Sequence, residues 1–81
     1  MTIKEFVLEY FEKKTNLDKN YLRCDVNYFK EEYIDSFGVF ELINALEDEY
    51  NFEFDNDDFQ HRDFVTIDGI SKMIEKKIIA L

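Results

Sequence analysis

The chain has 81 residues with no proline and two glycines, and this scarcity of helix breakers is what most constrains its fold. Proline and glycine interrupt helices and form the tight turns that join short strands. An all-β fold of this length would need several such turns. Apolar residues make up 46% of the chain, which is enough for one core. We therefore predict one all-α domain over residues 1–81.

Three segments show the apolar spacing of an amphipathic helix. The first helix, residues 3–14, starts after Thr2, which forms a capping-box sequence with Glu5. The second helix, residues 36–50, starts after Asp35, and the last helix starts after Thr66. The segment 55–58 offers N-cap residues for a short third helix that ends near His61. These segments predict a four-helix bundle with a long first loop, residues 15–35, and a short third helix.

Apolar side chains between and within the helices are predicted to form the core. In the first loop they are Leu17, Tyr21, Leu22, Tyr28, Phe29 and Ile34, and one helical turn is possible near Tyr28. The second helix contributes Val39, Leu42, Ile43, Leu46 and Tyr50, and the last helix Ile67, Ile70, Ile74, Ile78 and Leu81. The phenylalanines expected in the core are Phe40, Phe52, Phe54, Phe59 and Phe64.

The charge of the chain is strongly acidic and unevenly distributed. The net charge is −9, and residues 31–60 contain no lysine or arginine. We expect no nucleic-acid partner, because nucleic acids would repel an acidic chain, and contact with anionic membrane surfaces is disfavoured for the same reason. Basic proteins, in contrast, would be attracted over long range. The carboxylates of residues 31–60 are Glu31, Glu32, Asp35, Glu41, Glu47, Asp48, Glu49, Glu53, Asp55, Asp57 and Asp58.

The absence of membrane and export signals and the single cysteine bear on where the protein is located. No apolar run is long enough to span a bilayer, and the N-terminal residues lack a signal-peptide pattern. The single cysteine, Cys24, cannot form an internal disulfide, which fits a reducing compartment. We expect a cytoplasmic monomer.

A serine opens the acidic second helix. Ser36 is first of all a suitable N-cap residue. Three features favour a free hydroxyl instead: Asp35 can serve as the cap, Val39 stands where a capping box needs Glu or Gln, and Gly38 weakens the first turn by about 1 kcal/mol relative to alanine. Such a glycine suggests the close approach of another backbone or of a prosthetic group.

This helix resembles the second helix of the acyl carrier protein family. The resemblance rests on the sequences DSFGVFELI (35–43) and ALEDEY (45–50), together with length, acidity, the long first loop and the start of the last helix after Thr66. In that family an Asp-Ser-Leu motif opens the second helix, and its serine is esterified with 4′-phosphopantetheine. The implied fold is a four-helix, acyl-carrier-like bundle.

The resemblance implies a carrier and not an enzyme. A phosphopantetheinyl transferase would attach the arm of coenzyme A covalently to Ser36, making the chain a phosphoprotein, and Asp35 would assist that modification. The arm would then carry an acyl or aminoacyl group as a thioester to loading and acyl-using enzymes with basic docking surfaces. The residues expected to contact those enzymes are Phe37, Phe40, Glu41, Glu47 and Asp48.

The chain departs from the family pattern at three positions. Phe37 replaces the usual leucine, Gly38 stands where an acidic or polar residue is frequent, and Asp55 follows Phe54 in place of a proline. These departures favour a specialised pathway, such as secondary-metabolite, surface-polymer or aminoacyl transfer, over housekeeping fatty acid synthesis. Bulky rings filling the core would also favour a short or polar cargo.

Other functional interpretations have weaker support. One such interpretation is a catalytic triad of Ser36, His61 and an aspartate. A nucleophile elbow needs a glycine two residues before the serine, and this chain has Ile34 there. An EF-hand that begins at Asp55 would place Gln60 where glycine is required, so no metal site is predicted. Cys24 has no second cysteine beside it. The remaining alternative is an unmodified acidic helical adaptor that binds basic protein partners.

We expect the affinity for a basic partner protein to fall steeply as salt concentration rises, because the attraction acts between exposed charges that salt screens. Titrating a partner enzyme at low and at high ionic strength measures this dependence. An affinity that does not change with salt would contradict the predicted role of the acidic surface.

Overall fold

The computed structural model describes residues 2–80 and confirms the predicted helical fold. The four helices are α1 (Ile3–Thr15), α2 (Ser36–Tyr50), α3 (Asn56–Gln60) and α4 (Ile67–Ala80). Two short 3₁₀ helices, Lys19–Tyr21 and Arg62–Val65, precede α2 and α4. The sequence did not predict them, because a segment of three or four residues is too short to show a helical period. Leu81, expected on the inner face of α4, lies outside the described residues.

Local hydrogen bonds fix the ends of the long helices. Thr2 and Glu5 form the predicted capping box: the Glu5 N–H donates to Thr2 Oγ1 over 3.1 Å, and the Thr2 N–H donates to Glu5 Oε1. The C-cap residues that follow α1 and α2 are Asn16 and Asn51, which adopt the left-handed conformation with φ of 60° and 55°. Asparagine is one of the few residues other than glycine that tolerate it.

The core lies between α1, α2 and α4. Each of these helices turns one apolar stripe inward, as the spacing predicted, and α1 packs along α4. An ion pair between Lys4 and Asp68, with an Nζ–Oδ1 distance of 2.8 Å, joins the starts of α1 and α4. The fully buried helical side chains are Val7, Phe11, Leu42, Leu46, Ile67, Ile70 and Ile74.

The long first loop is held to the rest of the fold by Tyr28. Its N–H donates to the Val65 carbonyl over 2.9 Å, and its hydroxyl donates to the Phe64 carbonyl. Its ring is fully buried, 5.1 Å from the Phe11 ring between centroids. Burial raises the pKa of the Tyr28 phenol far above its ordinary value, so the hydroxyl keeps its proton. The loop is therefore an ordered part of the core, with the predicted turn near this residue.

Four predicted core residues are on the surface instead. Leu17 and Tyr21 of the first loop are 41% and 74% exposed, and Phe40 and Phe59 are 64% and 41% exposed. Apolar character alone misassigned them, because a small domain cannot bury all of its apolar side chains. Phe52, Phe54 and Phe64 are buried as predicted.

Gly69 is required by a close backbone approach near the start of α4. A Cβ atom at this position would lie 2.1 Å from the Asp63 carbonyl oxygen. The Gly69 N–H donates to Thr66 Oγ1 over 2.9 Å, so Thr66 caps α4 as the sequence predicted. The Arg62–Val65 turn can therefore pack directly against α4. No helix in the described range, 2–80, is long and apolar enough to cross a membrane.

We expect Tyr28→Phe to lower the free energy of unfolding by about 1–3 kcal/mol, because it leaves the Phe64 carbonyl without its donor in the interior. Urea denaturation followed by circular dichroism measures the change. Tyr21→Phe is the matched control, since that ring is exposed, and it should change stability by less than about 0.5 kcal/mol. Equal stability of the two variants would contradict the role given to Tyr28.

Candidate functional site

The candidate site is built around the first turn of α2. Asp35 is the N-cap residue, and its Oδ1 accepts the Gly38 N–H over 2.7 Å. Ser36 is the first residue of the helix and is exposed. Because Asp35 does the capping, as the sequence predicted, the Ser36 hydroxyl is not needed to complete the helix end.

The chain has two serines, and they differ in environment. Ser71 lies within α4 and is 3% exposed, and its Oγ donates to the Ile67 carbonyl over 2.7 Å. A hydroxyl in that position cannot reach another protein without unfolding of α4. Ser36 is consequently the serine that a partner enzyme can approach.

Gly38 is needed for packing inside the protein. A Cβ atom here would lie 2.8 Å from Ile34 Cγ1, and the Gly38 carbonyl accepts a hydrogen bond from the Tyr10 hydroxyl over 3.0 Å. The close approach inferred from this glycine is thus real, but a side chain makes it. The three atoms nearest the missing Cβ belong to the side chains of Ile34 and Asp35, so the expectation of a second backbone at this position was wrong. The expectation of a prosthetic group near Gly38 stays a prediction.

A groove opens beside Ser36, between the end of α1 and the loop that leads into α2. We call it the α1–loop groove. Its volume is about 490 Å³, which is within the range of small-molecule sites. It is lined by Lys14, Phe29, Glu32, Tyr33, Ile34, Asp35, Ser36 and Gly38.

An exposed stripe runs along α2 away from the core. Positions three and four residues apart share a helix face, and five such residues are all exposed. Phe37 and Phe40 stand out among them, with 74% and 64% of their surface exposed. We call this set the outer stripe: Phe37, Phe40, Glu41, Asn44 and Asp48.

The acidic residues predicted for partner contact have different surroundings. Asp48 is exposed. Glu41 is exposed and pairs with Lys14, with an Oε2–Nζ distance of 3.4 Å. Glu47 lies off the outer stripe, half-buried, and its Oε2 accepts the Phe54 N–H over 2.9 Å. Glu47 therefore anchors the connector after α2 within this chain.

Other side chains with reactive groups lie at position 61, at position 24 and in the segment 55–58. His61 is exposed, and its Nδ1 accepts the Asp63 N–H over 3.1 Å. Burial raises the pKa of the Cys24 thiol, so the thiol stays protonated and weakly nucleophilic at neutral pH. Asp55 and Asp58 form a capping box and both pair with Lys77. Residues 2–80 contain no group of three or more side chains placed to hold a metal ion.

Sequence reasoning missed the contribution of α1 to this site. Tyr10 and Lys14 fall within the predicted first helix, residues 3–14, for which no contact with α2 was predicted. In the structure the Tyr10 hydroxyl donates to the Gly38 carbonyl in the first turn of α2, and Lys14 lines the groove. Burial raises the pKa of the Tyr10 phenol, which keeps its hydroxyl protonated as the donor. No local signal connects positions 28 residues apart in the sequence.

We expect Asp35→Ala to destabilise the fold by about 1 kcal/mol through loss of the α2 cap. Asp35→Asn keeps an oxygen for the Gly38 N–H and should lower the free energy of unfolding by only a few tenths of a kcal/mol. Ser36→Ala should leave the free energy of unfolding almost unchanged. Urea denaturation of the three variants measures the series. A larger loss for Ser36→Ala than for Asp35→Ala would make the serine the cap.

Comparison with known proteins identifies the family. A family model described as "Phosphopantetheine attachment site" matches residues 5–74, most of the chain. A search of the curated proteins found no match. Domains of this family are non-catalytic carriers, and each is the site of covalent attachment of 4′-phosphopantetheine to a serine. The match spans the capped start of α2 and most of the four-helix fold, so this chain belongs to the phosphopantetheine carrier family that includes the acyl carrier proteins.

Proposed function

We propose that this protein is an acyl carrier whose 4′-phosphopantetheine arm is attached to Ser36. The observation that carries the proposal is the contrast between the two serines within the matched range. Ser36 is exposed at the start of α2, and Ser71 is buried with its hydroxyl bonded inside α4.

The surroundings of Ser36 fit a phosphodiester. Helix geometry leaves the N–H groups of Ser36 and Phe37 without intrahelical acceptors, and the helix dipole favours an anion at this end. Asp35 already uses the Gly38 N–H, so it fixes the helix end and leaves the first two N–H groups free of its carboxylate. An exposed hydroxyl on a capped, rigid turn is a defined target for a modifying enzyme.

Loading requires a phosphopantetheinyl transferase. The Ser36 hydroxyl loses its proton, and its oxygen forms a new bond to the phosphorus of coenzyme A that bears the pantetheine. The pyrophosphate P–O bond of coenzyme A breaks, and adenosine 3′,5′-bisphosphate is the leaving group. Once loaded, the arm holds an acyl or aminoacyl group as a thioester at its terminal thiol. Tethering the cargo raises its effective concentration at each enzyme on which the carrier docks.

Docking would use the outer stripe. Phe37 and Phe40 offer an aromatic anchor of the kind that dominates interface energetics, and Glu41 and Asp48 offer exposed negative charge for basic partners. Glu47, also predicted for partner contact, is occupied by its bond to Phe54. We therefore expect it to contribute less than Asp48.

A cluster of aromatic rings from residues 52–64 supports a restriction on the cargo. Phe52, Phe54, Phe59 and Phe64 form a continuous cluster, with neighbouring ring centroids 4.8–6.0 Å apart. Three of these rings, Phe52, Phe54 and Phe64, are buried, and Phe59 covers them from the surface with 41% of its own area exposed. Rings that already fill the interior at this place leave little space for a long apolar chain. A short or polar cargo in a specialised cytoplasmic pathway fits such a core, and the carrier would act as a monomer.

We expect one phosphopantetheinyl group to be added to the native protein by a promiscuous phosphopantetheinyl transferase with coenzyme A and Mg²⁺. Intact mass spectrometry measures the gain. Ser36→Ala should show none, because it removes the attacking oxygen. Ser71→Ala is the matched control and should be modified like the native chain.

Two other results would change the assignment. Modification of Ser36→Ala, lost instead in Ser71→Ala, would move the attachment site to α4. No gain by the folded native chain, while a reference carrier is modified in the same mixture, would favour the acidic adaptor.

A further inference from the structure

We propose that the α1–loop groove is the resting site of the arm attached to Ser36, and that Lys14 is the cation that pairs with its phosphodiester. The inference rests on the proposed function and assigns a binding role to α1, which supplies no attachment residue. It separates two surfaces: the groove for the arm and the outer stripe for partner enzymes.

The groove begins at the attachment point and combines apolar and polar walls. Ser36 itself lines it, together with Ile34 and Gly38, which are buried. Phe29 and Tyr33 contribute half-buried aromatic rings. The pantetheine arm has a matching composition, since a carbon with two methyl groups lies next to its phosphate and two amides follow. A volume of about 490 Å³ is within the range for ligands of this size.

Lys14 provides charge complementarity. It is the one cation among the described residues that line the groove, which also include the carboxylates of Glu32 and Asp35. Lys14 Nζ lies 3.4 Å from Glu41 Oε2 and 5.9 Å from the centre of the Tyr10 ring. The phosphodiester adds negative charge to a chain that already carries −9, so a cation at this position reduces the repulsion.

The unloaded pairing of Lys14 does not prevent this role. Exposed ion pairs contribute little to stability, and both side chains of this pair are at least 36% exposed. The Nζ–Oε2 distance of 3.4 Å is also longer than the roughly 2.7–2.9 Å of a good charge-assisted hydrogen bond, and a phosphate oxygen can form such a bond with an ammonium group. When the arm is present, the Lys14 ammonium group can therefore leave Glu41 for the phosphate or contact both anions.

The aromatic walls are held in place before loading. The Asn27 side chain accepts the Phe29 and Lys30 N–H groups over 2.9 and 3.1 Å. The Tyr33 N–H donates to the Tyr28 carbonyl over 3.0 Å, and the Tyr33 hydroxyl accepts the Arg23 N–H over 3.2 Å. A site whose walls are already ordered binds its ligand at a lower entropic cost.

Nuclear magnetic resonance of the loaded protein tests the proposal. The protein is labelled with ¹³C and ¹⁵N, loaded with an unlabelled arm from coenzyme A, and checked by intact mass. We expect nuclear Overhauser effects from the two arm methyl groups to the rings of Phe29 and Tyr33. Lys14→Ala should at least halve these signals and shift the ³¹P resonance of the phosphodiester, and Lys14→Arg should restore both.

Lys13→Ala is the matched control. Lys13 is a neighbouring exposed cation in the same last turn of α1 and does not line the groove, so its loss should leave the methyl signals and the ³¹P resonance unchanged. Absence of methyl contacts to Phe29 and Tyr33, contacts only to Phe52 or Phe54, or equal effects of the two lysine variants would overturn the proposal. A chain that gains no mass would instead refute the proposed function, and this inference with it.

Discussion

Tyr28 makes the first loop part of the core, and the geometry near Ser36 depends on that. Its N–H and hydroxyl donate to two successive carbonyls of the Arg62–Val65 turn, while its ring packs on Phe11 of α1. One side chain therefore connects α1, the loop and the segment before α4. Burying a phenol is unfavourable unless its hydroxyl is bonded, so the two donors and the ring burial act together. Because Tyr28 is fixed, the loop residues that follow it are also held in place, and Phe29, Tyr33 and Ile34 lie near the start of α2.

Helix α2 has three surfaces with different surroundings: its inner face, its outer stripe and its N-terminal end. Leu42 and Leu46 of its inner face are completely buried, which fixes the helix on the core. The outer stripe combines two exposed phenylalanine rings with carboxylates. The N-terminal end carries an exposed serine that the cap at Asp35 leaves free. Because the buried inner face fixes the helix on the core, the exposed serine and the outer stripe keep a constant spacing, which the proposed carrier role requires.

The uneven charge of the chain has a structural counterpart. Where the cation-free segment meets the rest of the fold, lysines from other helices pair with it: Lys14 of α1 with Glu41, and Lys77 of α4 with Asp55 and Asp58. The Lys77 pairs join α4 to the start of α3, and hydrogen bonding to Asp58 raises the pKa of Lys77. Carboxylates at these junctions are thus balanced within the chain. Asp48, at the far end of the outer stripe, is exposed.

The sequence by itself determined the elements that depend on neighbours along the chain. Capping at Thr2, Asp35, Asp55 and Thr66 and the 3.6-residue period need contacts only within a few residues, so the four helices and the accessible serine could be predicted. Tertiary structure decided the features that join distant positions. Tyr10 reaches Gly38, Lys14 reaches Glu41, and Glu47 turns from the predicted docking surface to bond Phe54. Tertiary structure also decided which aromatic rings are exposed. Phe40 and Phe54 have the same side chain, but packing against the rest of the fold buries Phe54 and leaves Phe40 in solvent.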